Sequence, residues 1–211
     1  MRLTAIVAFL GALLGRADQR AVIVRQPLDS TPLLARAYDA TVTIINPGGC
    51  GSGVLIEHRT ILTAAHVVSD FPTKLAVAFW DGTVLPAFTK KMDVVNDLAL
   101  VEFIGNIDVE PITIAHDQPA LMSSVWSFGA PECHPGQAVR GLWGRLTPDG
   151  RLVTGSYGWP GFSGGPVVDE YGQVVGLNDA VARSSRGGYL SIVSLAVDLS
   201  TIERFLANDQ S

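Results

Sequence analysis

The sequence predicts an all-β protein built from short strands, arranged as barrels or a sandwich. Three observations carry that expectation. Apolar, β-branched runs recur along the chain and each is soon cut by turn residues. Glycine (22) and proline (12) are abundant, which favours many turns over long helices. The strand patterns do not alternate with long amphipathic helices, as βαβ units would require. A length of 211 residues suits one compact domain or two small barrels sharing an interface, and 47% hydrophobic content supports a real core.

Each element has its own local warrant. Ser30-Thr31-Pro32 starts a short helix over Leu33 to Tyr38, with a capping hydroxyl and proline at the first helical position. Thr41 to Ile45 is a β-branched strand closed by the turn Asn46-Pro47-Gly48-Gly49, and Cys50 to Ile56 forms the next. Arg59 to Ala65 is expected to be a third strand. Leu75–Trp80 and Val84–Phe88 follow, joined through the hairpin signal Asp81-Gly82, then Leu98–Phe103. A looser connector, roughly Gly105 to Pro119, separates this half from a second of similar texture. Its strands are expected at Ser124–Phe128, Gly136–Leu146, Arg151–Gly155, Pro166–Asp169, Gln173–Asp179 and Tyr189–Ala196. Ser200-Thr201-Ile202-Glu203 reads as a capping box opening a terminal helix through Ala207. Low-complexity segments and sequence repeats are absent.

Residues 1–17 read as a targeting segment: Arg2 is the positive flank, Leu3 to Leu14 is apolar, and Gly15-Arg16-Ala17 places small residues at the peptidase positions. Cleavage before Asp18 is expected, and retention as a signal anchor is the alternative. A formal charge of −5 with no basic run excludes a nucleic-acid binder. The His and Cys residues lack ligand spacing, so no metal or other cofactor is expected. Cys50 and Cys133 are too few for a disulfide scaffold; one bridge or two buried thiols are both compatible with the sequence.

The most informative stretch is Gly158-Trp159-Pro160-Gly161-Phe162-Ser163-Gly164-Gly165-Pro166. Proline fixes φ and the glycines reach conformations closed to other residues, so Ser163 can sit at a tight turn with backbone N–H groups converging beside it. A nucleophile with oxyanion donors is what acyl transfer needs. Two upstream segments supply its partners. His66 in Thr63-Ala64-Ala65-His66 follows a β-rich run, where an imidazole can face a cleft. Asp97 in Asp97-Leu98-Ala99-Leu100 precedes an apolar strand that anchors its carboxylate. Asp93 is the rival acid. Of the other histidines, His58 lies between charged neighbours, and His116 and His134 fall in loops.

These three motifs, in the chain order His, Asp, Ser, resemble the chymotrypsin-like serine peptidases. Gly53-Val54-Leu55-Ile56, Pro160-Gly161-Phe162-Ser163-Gly164-Gly165 and Gly176-Leu177-Asn178-Asp179-Ala180 resemble the bacterial HtrA-type (Deg) branch, over roughly residues 33 to 205. The resemblance implies two six-stranded antiparallel β-barrels, one about 38–105 and one about 118–200, with a short C-terminal helix about 200–207, within a peptidase domain spanning 18–211. It implies Ser163 as nucleophile, His66 as base, Asp97 as orienting acid and the Gly161 and Ser163 N–H groups as oxyanion hole. Tyr157, Gly158, Asp179 and Val181 then line the substrate cleft, with Tyr157 at the pocket base and Ser191 approaching from the later strand. A shallow apolar pocket preferring small side chains is expected, unless Asp179 turns into it. The family fold also brings Cys133 near Cys50. Phe162 stands where many secreted members carry an aspartate that pairs with a new N-terminus, so activation through such an ion pair is not expected. Few residues follow the last strand, so delivery of substrate by an appended peptide-binding domain is not expected either.

The function implied is an exported endopeptidase acting through an acyl-enzyme on unfolded or extended protein segments. A specialised viral or phage processing peptidase would use the same site. A catalytically inactive homologue that binds peptides is the reading from another class. Its partners are protein or peptide substrates, with no nucleic acid, and a membrane only if the N-terminal segment is retained.

Overall fold

A computed structural model describes residues 32–134, 136–148, 150–155, 158–186 and 189–208, with side chains described outside 182–193. The targeting segment and Tyr157 lie outside the described residues, as does the side chain of Ser191. The chain opens with helix α1 (Pro32–Ala40), which buries Ala37 and Ala40. Thr41 ends it by donating its hydroxyl to the Ala37 carbonyl at 2.7 Å, and strand β1 (Thr41–Asn46) begins there.

The first barrel continues with β2 (Gly49–Glu57), β3 (Thr60–Thr63), β4 (Leu75–Ala78), β5 (Val84–Asp93) and β6 (Leu98–Phe103). The strands close in the order β1-β2-β3-β6-β5-β4, every pairing antiparallel, with Ile44 opposite Val77 at the closing seam. The second barrel comprises β7 (Ser124–Gly129), β8 (Gln137–Leu146), β9 (Leu152–Thr154), β10 (Pro166–Val168), β11 (Val174–Arg186) and β12 (Tyr189–Asp198). It closes as β10-β11-β12-β9-β8-β7, where Val167 faces Ser127. Two closed six-stranded antiparallel barrels followed by a short helix form a chymotrypsin-like fold.

Closure leaves each barrel an apolar interior. Ile44, Val54, Leu55, Ile61, Leu62 and Leu98 are fully buried in the first, and Phe79 meets Phe103 edge-on at 5.4 Å. Each such side chain contributes about 1.5–3 kcal/mol by leaving water. The same core runs on into Phe128, Val168 and Leu177 of the second barrel, so the two halves share one apolar seam. The connector laces them further: Ile112 N–H donates to the Leu55 carbonyl at 3.0 Å, and Ala115 N–H to that of Val174 at 2.9 Å.

Three local expectations are corrected. The run from Arg59 does not stay extended to Ala65; the chain turns after Thr63 into the short helix α2 (Ala65–Val68), which carries His66. The strand from Val84 does not stop at Phe88 but runs to Asp93 across a bulge between Thr89 and Lys91, because β6 offers partners along its whole length. The terminal helix α3 (Leu199–Ala207) begins one residue early. The buried Asp198 carboxylate stands at its start and accepts from the Ser200 and Thr201 hydroxyls, which removes Ser200 from the capping role.

Candidate active site

The site forms where the two barrels face each other. Ser163 comes from the second barrel, on the turn before β10. Gly161 and Gly164 take φ values of +98° and +83°, in the left-handed region that favours glycine. A Cβ on Gly161 would also run into the Ala130 carbonyl, and one on Gly164 into the Ser52 carbonyl. This backbone commits the N–H groups of Phe162, Gly164 and Gly165 to the carbonyls of Trp159, Asn178 and Phe162. Those of Gly161 and Ser163 have no acceptor among the described residues. Two unpaired donors beside a hydroxyl are the raw material of an anion site.

His66 and Asp97 come from the first barrel. Asp97 takes φ 57° at the start of β6, a region that aspartate tolerates, and this turns its carboxylate back toward α2. One oxygen accepts the His66 backbone N–H at 2.9 Å, and the other lies 2.7 Å from His66 Nδ1. The double attachment fixes the ring and assigns the Nδ1 proton, leaving Nε2 to face outward as a base. The hydrogen bond to Asp97 raises the imidazole above its ordinary pKa of 6.5, against burial, which lowers it. Burial pushes the Asp97 carboxyl up, but its hydrogen bonds from His66 and Asp179 outweigh that and hold it below the usual carboxylate range. Asp93 spends its carboxylate on the backbone N–H groups of Val95 and Asn96 instead, at 3.0 Å each, and so braces the turn that presents Asp97.

Asp179 touches both halves. Its carbonyl oxygen accepts the Ser163 hydroxyl proton at 3.1 Å, so that hydroxyl is parked on β11 in this structure. Its carboxylate pairs with Arg151 at 2.6 Å. Polar atoms of His66, Asp97 and Asp179 all fall within 4.8 Å of one another. They are engaged with each other and with the Arg151 cation, an arrangement suited to holding protons rather than a metal ion.

Beside Ser163 opens a cavity of about 220 Å³ bordered by Gly158, Phe162, Val181 and Ser194. A Cβ on Gly158 would stand 2.7 Å from a Val181 methyl and 2.8 Å from Ser194 Oγ, so the walls already approach closely there. Ser194 Oγ is buried without a hydrogen-bond partner among the described residues. Phe162 is 3% exposed and packs against Gly129. Cys50 of β2 and Cys133 are joined as a disulfide, their Cα atoms 5.7 Å apart, which fastens the Ala130–Cys133 turn under Gly161 to the first barrel.

Two contributors were not foreseen from the sequence. Ser52 of β2 donates to the Gly161 carbonyl at 2.5 Å and accepts the Ala130 N–H at 2.9 Å. Its signal was a lone hydroxyl between Gly51 and Gly53. Arg151 carries no local signal at all, since its partner is on another strand.

A double β-barrel with a serine turn on one barrel facing a His–Asp pair on the other defines the chymotrypsin-like class. The family described as the trypsin-like peptidase domain matches residues 51–177, and the chain belongs to it. Its relatives are of the HtrA/DegS type. The serine endoprotease DegS of Escherichia coli K12 is 31% identical over 76% of this chain and 52% of its own length. HhoA of Synechocystis sp. is 28% identical over 87% of this chain and 51% of its own. The chain thus spans about half the length of the curated relatives it matches. Among solved structures, a serine endoprotease from Yersinia pestis superposes with a TM-score of 0.75 at 23% identity, covering 87% of this chain and 67% of that one. Rv3671c from Mycobacterium tuberculosis gives 0.72 at 20% identity, covering 84% and 89%.

Proposed function

We propose that the protein is an exported serine endopeptidase that cleaves through an acyl-enzyme. Ser163 Oγ attacks the scissile carbonyl while His66 Nε2 takes its proton; Asp97 holds the ring and stabilises the imidazolium; His66 then returns the proton to the leaving amine. The N–H groups of Gly161 and Ser163 receive the oxyanion. The observation that carries this reading is the 2.7 Å bond between His66 Nδ1 and Asp97, which fixes the imidazole and leaves Nε2 free to act as the base. In this structure Ser163 Oγ donates to the Asp179 carbonyl, and the reaction requires it to leave that acceptor for the imidazole.

The substrate is an extended polypeptide. Pairing between β10 and β11 ends at Leu177, so the edge of β11 from Ala180 onward is open on that side to a strand of substrate. The cavity beside it takes a small apolar side chain: Gly158, Val181 and Ser194 are close together, and the Asp179 carboxylate is turned to Arg151 and offers nothing to lysine or arginine. The Cys50–Cys133 bridge and the apolar N-terminal segment both suit a chain that reaches an oxidising compartment.

The test is activity labelling. A fluorophosphonate is expected to form an adduct on Ser163 of the folded, oxidised protein, with casein turnover blocked in proportion. A folded protein that takes no label overturns the reading.

A further inference from the structure

Asp179 does more than border the cleft. In β11 the register slips between Asn178, which faces Ala196 of β12, and Ala180, which faces Leu195, so Asp179 is the extra residue of a bulge. Bulges re-aim side chains, and this one directs the carboxylate at the first barrel, where it meets Asp97. Its other neighbour is Arg151, whose Nη1 is 2.6 Å from Oδ2 with the two side chains only 25% and 10% exposed. Arg151 is itself held, because Thr147 Oγ1 accepts from its backbone N–H and donates to its carbonyl oxygen, both at 3.0 Å. Two largely buried carboxylates side by side repel unless a cation or a shared proton intervenes. The His66–Asp97 pair is therefore the end of a longer chain of charges: Arg151, Asp179, Asp97, His66.

We propose that Asp179, clamped by Arg151, is a positioning residue for the His66–Asp97 pair, bracing Asp97 and governing how firmly His66 keeps its proton. This rests on the reading of His66 as the general base. The groups facing the Asp179 carboxyl are Arg151 from the turn before β9, Asp97 from the turn before β6, and His66 from α2. Burial first, then the hydrogen bond with Asp97, pushes that carboxyl up to about 6 even with the guanidinium beside it. It thus changes charge in the range where the imidazole does, and the two protons leave as a coupled set. Protonated, Asp179 donates to Asp97 and holds it in place. Ionised, its charge favours a proton on His66, while Arg151 opposes that proton.

The signs of the two neighbours give the experiment. The His66 imidazole is titrated by NMR in the oxidised full chain carrying Ser163→Ala to prevent self-cleavage, with Asp179→Asn, with Arg151→Gln, and with both. Asp179→Asn is expected to lower the His66 midpoint by roughly 0.5–1 pH unit, the effect of a unit charge about 5 Å away in a mostly aqueous dielectric. Arg151→Gln is expected to shift it less, because loss of the guanidinium removes a charge that opposes the His66 proton and also moves the Asp179 carboxyl toward its neutral form. The double variant leaves neither charge buried alone, so it folds where a single one fails, and its midpoint falls below the wild-type value because Asp179 acts on His66 more strongly than Arg151. With Ser163 restored, the acid limb of kcat/KM moves in the same directions. A His66 midpoint that is unmoved in Asp179→Asn, or in the double variant where the single fails to fold, overturns the proposal. The titration needs no turnover, so it is separate from the failure of the functional reading, which an unlabelled Ser163 would show.

Discussion

The hydroxyl of Ser52, in the first barrel, donates to the carbonyl oxygen of Gly161, in the second, at 2.5 Å, and Ser52 Oγ in turn accepts the N–H of Ala130. One side chain thus ties down the peptide unit that follows the Gly161 N–H and the turn on which Gly161 rests. Ser52→Ala leaves the buried Ala130 N–H without a partner, which costs about 1–3 kcal/mol of stability. Because Gly161 is then free to drift, kcat is expected to fall roughly tenfold, a fraction of the 10²–10³ that loss of an oxyanion donor costs. Urea unfolding and steady-state kinetics check the two effects, and an unchanged kcat removes Ser52 from the site.

Ser163→Ala, His66→Ala and Asp97→Asn are each expected to lower kcat by about 10⁴ to 10⁶ without unfolding the chain, since the three groups act as a unit. Asp93→Asn is expected to be mild, because Asp93 reaches His66 only through the turn it braces. Circular dichroism and casein turnover decide. A dead Asp93→Asn beside an active Asp97→Asn would reassign the acid.

In the proposed mechanism the imidazole must be neutral to accept the serine proton. Its folded pKa lies above 6.5, chiefly through the hydrogen bond with Asp97. Protonation therefore sets in as pH falls through that raised value, and activity is lost on the acid side while Asp97 stays ionised. The kcat/KM profile of the free enzyme is expected to show an acid limb centred above 6.5. A limb centred near 4 would point to a carboxylate as the essential base.

Reduction of the Cys50–Cys133 bridge, which spans 83 residues, is expected to cost on the order of 4 kcal/mol through the greater freedom of the unfolded chain. Denaturation of Cys50→Ser against wild type measures it. The turn beneath Gly161 loosens as well, so kcat is expected to fall under dithiothreitol before the fold is lost.

Peptide-library profiling is expected to return cleavage after alanine, valine or similar residues. Val181→Gly removes a wall of the cavity and is expected to raise kcat/KM for a large P1 residue relative to alanine by about tenfold or more. Dominant cleavage after arginine or lysine would mean that Asp179 leaves Arg151 and turns into the cavity.

Much of this was legible in the sequence for a definite reason. The serine turn is specified locally, by glycines that alone reach the required φ, and Asp97 is distinguished from Asp93 by the apolar strand that follows it directly. The strand pattern announced barrels because short β-branched runs and turn residues alternate throughout. The remainder depends on contacts between distant segments. Ser52 meets Gly161 across 109 residues, and nothing near either one encodes the meeting. The direction of the Asp179 carboxylate depends on a bulge that exists only when β11 is laid against β12. The strand expected to reach Ala65 ends at Thr63 because α2 begins at Ala65, and the Asp97 carboxylate that accepts the His66 N–H lies outside that segment.

His66 and Asp97 belong to one barrel and Ser163 to the other, with the connector of residues 104–123 between them. Neither ring of strands carries all three groups by itself. The proposed reaction therefore needs the two rings packed together, as they are where Phe128, Val168 and Leu177 continue the core of the first barrel. Substitutions along that apolar seam should therefore silence the protein while both rings remain intact, and two separately produced halves should be harmless to a host until they are mixed.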